Sequence, residues 1–200
     1  VIMGGAAAPL TELDYVALVD PATLEPPAGV LEAGTYRLLT AARLGIPVPP
    51  GFTITTDACR AFLRSGSVPA GLFEEVDGHL ARLEAAMGRH LGDSDDPLLV
   101  SVRSGAKFSM PGMMETVLNI GLNDTSVEGL AAQTGNPRFA WDSYRRLVQM
   151  YGKTVLDLDG DRFEDAIDEA KAAKGVTDDL HLDADDLRAL VTRFKAIVEQ

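Results

Sequence analysis

The chain has 200 residues, of which 46% are hydrophobic and 24% are charged, a composition typical of a globular protein with a buried core. Its formal net charge of -12 argues against a nucleic-acid partner, because phosphates would be repelled over most of the surface. One cysteine excludes an internal disulfide, and neither a long apolar segment nor a basic leader is found, so we expect a cytoplasmic protein without a membrane span.

The first half of the chain predicts alternating strands and helices. Apolar residues recur at helical spacing in three segments, and β-branched or alternating apolar residues mark three strands. The predicted strands are Tyr15–Val19, Phe52–Thr55 and Leu98–Val102, and the predicted helices are Leu31–Leu44, Thr56–Arg64 and Leu72–Leu91. On these helices, Cys59 is expected to be a small buried residue. His79, and His90 near the helix end, are expected to be solvated because neither has an acidic or thiol neighbour at a useful spacing.

The residues after the Leu98–Val102 strand carry a concentration of positive charge and flexible backbone. Arg103 ends the strand, small residues follow, and Lys107, Ser109 and Gly112 add a point charge, a hydroxyl and a flexible joint. Backbone amides together with two cations suit an oligophosphate. An alternative stays open, in which Arg103 makes a structural salt bridge and the methionines of this stretch fill a core.

After residue 122 the composition predicts helices and no further strands. The expected helices are Asn123–Gln133, Pro137–Val155, Phe163–Ala173 and Asp185–Glu199. This change predicts an α/β lobe at residues 1–122 and a mostly helical subdomain at residues 123–200. The last helix reaches the end of the chain without a cap, which suggests an incomplete domain.

Three segments of the chain are distinctive, namely GIPVPPGFTITTDAC (45–59), SVRSGAKFSMPGMMETVLN (101–119) and NPRFAWDSYRRLVQMYG (136–152). They resemble the pyruvate, phosphate dikinase family and occur in the family's order. The middle segment closely resembles its nucleotide-binding domain, and the other two resemble the flanking segments. A looser similarity runs from about Tyr15 to the C-terminus. Related phosphoenolpyruvate synthase-like dikinases share the Val-Arg-Ser core but not SMPGMMET, and they are kept as an alternative.

The resemblance implies an α/β (α+β) fold, namely the first lobe of an ATP-grasp domain with a small mixed sheet, followed by a helical subdomain. Members of the family move the β-phosphoryl group of ATP to a histidine of another domain, in the interconversion of pyruvate and phosphoenolpyruvate. ATP and Mg²⁺ are therefore the implied cofactors, with the metal ligands expected outside this chain. A second ATP-grasp lobe and a phosphohistidine domain are expected C-terminal to it, and a homodimer is left open.

The resemblance also assigns site residues. Arg103 matches the arginine that grips the nucleotide phosphates and is the predicted catalytic residue. Arg146 matches a second arginine of the site, with Arg145 as the near alternative. The full set expected to contact the nucleotide is Arg103, Lys107, Ser109, Gly112, Met113, Glu115, Thr116, Arg145 and Arg146.

One segment departs from the family. The family has Gly-Gly-Lys-Gly before its first helix, with a lysine that reaches the phosphates, whereas this chain has Glu32, Ala33, Gly34 and Thr35. Gly34 has no charge and no side chain that could reach a phosphate. A degenerate nucleotide-binding module with a regulatory or assembly role is therefore the second hypothesis, and we expect the 200-residue chain alone to be inactive in either case.

Overall fold

The computed structural model describes residues 2–4, 50–54, 56–103 and 115–200. The described residues form a mixed α/β fold that is mostly helical, with six α-helices and six short strands, which confirms the predicted mixture of the two elements. The predicted strand Tyr15–Val19 and helix Leu31–Leu44, together with Glu32 and Gly34, lie outside these ranges. None of the described helices is long and apolar enough to cross a membrane.

The chain divides into two compact units, one of residues 1–88 and 102–114 and one of residues 89–101 and 115–200. The predicted boundary between residues 122 and 123 stays a prediction. In the first unit, β1 (Ile2–Gly4) pairs antiparallel with β2 (Gly51–Phe52). Two helices follow, α1 (Thr56–Ser65) and α2 (Leu72–Met87).

Helix α2 is shorter than predicted because Gly88 ends it. Gly88 adopts φ 66°, and its N–H donates to the Glu84 carbonyl, a left-handed turn that favours glycine. His90 and Leu91 form the short strand β3 instead of a last helical turn. The other glycine of this segment, Gly78, is accommodated within the helix.

Two predictions of side-chain burial in the first unit are wrong. His79 is only 7% exposed, and its ring stacks on Phe52 with centroids 5.4 Å apart. Burial, followed by the charge of Arg82, lowers the pKa of His79. Cys59, expected to be buried, is exposed, whereas His90 is exposed as predicted.

The second unit begins with short strands. β3 (His90–Leu91) pairs parallel with β4 (Pro97–Leu98). β5 (Val100–Arg103) starts in this unit, and β6 (Thr116–Ile120) lies next to it. The single strand predicted at Leu98–Val102 is therefore wrong in detail, because Leu99 interrupts it and leaves β4 and β5 as separate pieces.

Four helices build the rest of the second unit, and all four match helices that the composition of the sequence predicted. They are α3 (Ser126–Thr134), α4 (Pro137–Thr154), α5 (Asp161–Lys174) and α6 (Ala184–Val198), with a 3₁₀ turn at Asp179–His181 before the last. Asn136 caps α4 by accepting a bond of 3.0 Å from the Phe139 N–H, and Pro137 occupies the first turn.

Helix α4 is the centre of the second unit, because α3, α6 and β6 all pack against it. The fully buried side chains of the core come from all four helices and from the segment before α6. Those with no more than 1% exposure include Val127, Ala140, Phe163, Ala166, Leu182, Leu187 and Phe194.

The N-terminus of α6 carries a pH-sensitive cap. The Asp183 carboxylate accepts bonds from the Asp185 and Asp186 N–H groups at 3.0 and 3.1 Å, and Lys174 bridges Asp183 and Asp186. The lysine, and then the Asp186 N–H, lower the pKa of Asp183 to about 2 from an ordinary 3.8.

Because the folded-state pKa of Asp183 is the lower one, its carboxylate stabilises the fold above the unfolded-state value and loses this effect as pH falls through the folded-state value. We expect stability to fall between about pH 4 and pH 2, and Asp183→Asn, which still caps a helix but does not titrate, to reduce that slope. Urea midpoints measured across this range check the prediction, with Asp185→Asn as the control. An unaltered slope in Asp183→Asn would contradict it.

Candidate phosphate-binding site

Arg103 is the last residue of β5, the position that the sequence predicted for it. Its side chain is partly buried and its Nε atom is fully buried. Four other predicted site residues, Lys107, Ser109, Gly112 and Met113, lie outside the described residues. Arg103 belongs to the first unit.

Glu115 and Thr116 lie where the predicted phosphate loop joins β6. Glu115 is exposed, and Thr116 is the partly buried first residue of the strand. Further along β6, Asn119 adopts φ 61°, which is uncommon outside glycine, and its Nδ2 donates to the Ser143 carbonyl at 3.2 Å. This bond joins β6 to the middle of α4, the helix that carries the two predicted arginines.

Arg145 is a buried member of a hydrogen-bonded network on α4. Its residue exposure is 4%, and its Nε and Nη2 atoms donate to Asp142 Oδ1 at 2.9 and 2.6 Å. Its Nη1 donates to Gln149 Oε1 at 3.1 Å, and Gln149 in turn donates to Glu164 of α5 at 2.8 Å. Such a network fixes the guanidinium within the protein.

Arg146 lies beside Arg145 but faces solvent, with 58% of its side chain exposed. Its Nε donates to Asp142 Oδ2 at 2.9 Å. Of the two arginines that the sequence offered for the second phosphate contact, Arg146 is therefore the accessible one.

Asp142 was not predicted as part of the site, although it contacts both arginines. The only sequence signal was an acidic residue three and four positions before them, a spacing that places side chains on one helix face. Its side chain is 17% exposed, so most of the carboxylate is shielded from water. Two guanidinium groups compensate its charge.

A second polar network braces α4 against α6. Lys195 of α6 donates to both oxygens of Asp124 at 2.6 Å, and the Tyr144 hydroxyl of α4 donates to Asp124 Oδ1 at 3.1 Å. The lysine lowers the pKa of Asp124, whereas burial is the main cause that raises the pKa of Tyr144. Through Asp124, these contacts link α4 to α6.

No family model matches this chain. Individual proteins do match it. The chain is 51% identical over 158 residues to the pyruvate, phosphate dikinase of Clostridium symbiosum, a match that covers 78% of this chain and 18% of that protein. It is 50% identical over 177 residues to that of Giardia intestinalis, covering 88% and 20%. It is 49% identical over 165 residues to that of Rhizobium meliloti (strain 1021), covering 82% and 18%.

The chain thus spans about a fifth of the length of the curated relatives that it matches. The matched part covers about four fifths of this chain at about 50% identity. By this similarity the chain belongs to the pyruvate, phosphate dikinase family, of which it represents one segment.

Proposed function

We propose that this chain is an ATP-binding part of a pyruvate, phosphate dikinase, with the first lobe of an ATP-grasp domain and its helical subdomain. The observation that carries the proposal is the identity of about 50% to proteins of that name, together with the stretch SVRSGAKFSMPGMMETVLN at residues 101–119. In the whole protein, the bound ATP would donate a phosphoryl group to a histidine of another domain, as a step in the interconversion of pyruvate and phosphoenolpyruvate.

The proposed chemistry of this part is positioning and charge compensation. A planar guanidinium at Arg103 can donate two parallel bonds to phosphate oxygens, and Lys107 adds a compact charge. Phosphoryl transfer depends almost entirely on such positioning and on electrostatic stabilisation. Arg146, exposed on α4, is proposed as the second guanidinium of the site.

Mg²⁺ is proposed as the metal of the whole protein, where it would neutralise phosphate charge. Within the described part of this chain, no group of three or more His, Cys, Asp or Glu side chains could hold a metal ion. On the family resemblance we assign its ligands to another lobe, and a phosphohistidine domain is the proposed partner in the transfer.

The test is Arg103→Ala in the full-length protein. One charge-assisted bond to phosphate contributes about 1.5 to 3 kcal/mol, so ATP affinity should fall by roughly ten- to a hundredfold. Isothermal titration with ATP measures the change. Arg89→Ala is the matched control, because Arg89 makes only an exposed pair with Asp96 at 2.9 Å among its described contacts and lies outside the proposed site. An unchanged dissociation constant for Arg103→Ala would reduce Arg103 to a structural residue.

A second candidate function follows from Glu32 and Gly34, where the family has Gly-Gly-Lys-Gly. Without the lysine, and with a carboxylate nearby, the segment offers less attraction for phosphate. A module that has lost catalysis and serves regulation or assembly fits this departure. The same titration separates the two functions, since a folded full-length protein that does not bind ATP favours the second.

A further inference from the structure

We propose that Asp142 is a positioning residue that orients Arg146 toward the ATP phosphates, an inference that rests on the proposed function. The geometry that points to it is that the two oxygens of one carboxylate accept hydrogen bonds from two different guanidinium groups. Arg145 binds Oδ1, and Arg146 binds Oδ2 at 2.9 Å. Asp142 does not itself contact the ligand.

The carboxylate is held in place from its buried side. Arg145, at 4% exposure, donates two bonds to Oδ1, and its remaining described bond goes to Gln149, which is joined to Glu164 of the next helix. These part-buried bonds restrain the Asp142 carboxylate and with it the position of Oδ2. The Nε atom of Arg146 donates to Oδ2, so this bond in turn restrains the Arg146 guanidinium.

The bond through Nε leaves the outer edge of the Arg146 guanidinium for another partner. A guanidinium carries five N–H donors, one on Nε and four on the two Nη atoms. With Nε directed at Asp142 and 58% of the side chain exposed, the two Nη groups are on the solvent side. Those two groups form the planar fork that matches two phosphate oxygens.

The charges of the three residues also fit an anionic ligand. One carboxylate between two guanidinium groups leaves a net charge of +1 for the set. If Arg145 were absent, Asp142 would cancel the charge of Arg146 and the helix face would offer no attraction. The buried arginine therefore compensates Asp142, while the exposed arginine keeps its positive charge for the phosphate.

A double-mutant cycle in the full-length protein tests the proposal, with ATP as the probe and isothermal titration as the measurement. Arg146→Ala should weaken ATP binding by about tenfold, and Asp142→Asn by about three- to tenfold. In the Arg146→Ala background, Asp142→Asn should cause no further loss. Glu169→Gln is the control, because it removes a carboxylate from an exposed pair with Arg193 elsewhere in the same unit, and it should bind ATP as the unaltered protein does.

Two results of the cycle would overturn the proposal. One is wild-type affinity in Asp142→Asn, and the other is an equal loss from Asp142→Asn with and without Arg146, which would mean that the carboxylate acts only on the general stability of the fold. Failure of the proposed function gives a different pattern, since the unaltered protein would then not bind ATP and Arg103→Ala would have nothing to weaken.

Arg146→Lys provides a second test that does not depend on how well Asp142→Asn folds. Position 146 is exposed, so the substitution is expected to be tolerated. Lysine keeps the charge but lacks the Nε–H and the planar fork. Binding within about threefold of Arg146→Ala supports an oriented guanidinium. Full wild-type affinity in Arg146→Lys would overturn the proposal, because charge without orientation would then suffice.

Discussion

Phe163→Ala is expected to lower the free energy of unfolding by about 3 to 5 kcal/mol, the usual cost of removing a fully buried aromatic ring. Phe163 has 0% exposure and meets Phe194 edge to face, with ring centroids 5.0 Å apart. The ring also fills the space over Gly152, where a Cβ atom would lie 2.6 Å from Phe163 Cζ. The expected loss includes a contribution from the cavity, because the structure around a truncated core side chain usually relaxes only partially.

Equilibrium unfolding in urea measures this effect. Phe139→Ala is the matched control, because the same substitution is made on a residue of the same unit that is 49% exposed. It should cost less than about 1 kcal/mol. Similar losses for the two variants would mean that the Phe163 environment is not the rigid core described above.

The four helices after residue 123 were predicted from the change in composition, and the caps observed in the structure are ones that a sequence can signal. Asn136 followed by Pro137 marks a helix start, and Asp183 starts α6 as a capping residue. Helix α2, by contrast, was predicted to end at Leu91 but ends at Met87. Its apolar stripe contains Gly78 and continues past Gly88, and only the backbone angle of Gly88 shows which glycine ends the helix.

The side-chain environments were less predictable than the elements. His79 was expected in solvent because it has no nearby ligand partner in sequence, yet the tertiary contact with Phe52 buries it. Arg103 was placed correctly at a strand end, because a buried apolar run followed by an arginine is a local signal. Asp142 was missed, since an acidic residue a turn before an arginine is common on helices and says nothing about burial.

Alanine substitutions of the two adjacent arginines should separate a structural from a ligand-binding role. Arg145→Ala is expected to lower the free energy of unfolding by about 3 kcal/mol, the lower end of the range for breaking a buried ion pair, because Asp142 keeps Arg146 as a partner. Arg146→Ala removes an exposed partner and should cost less than about 1 kcal/mol. Urea unfolding of the two variants measures the difference.

The affinity for ATP is expected to follow another order. Arg146→Ala should weaken binding by about tenfold through the loss of a direct contact. Arg145→Ala should weaken it as well, because Asp142 is then left to cancel the charge of Arg146. A large loss of affinity with little loss of stability is thus expected only for Arg146→Ala. If Arg145→Ala leaves stability unchanged while Arg146→Ala unfolds the protein, the assignment of the buried and exposed arginines to these roles is wrong.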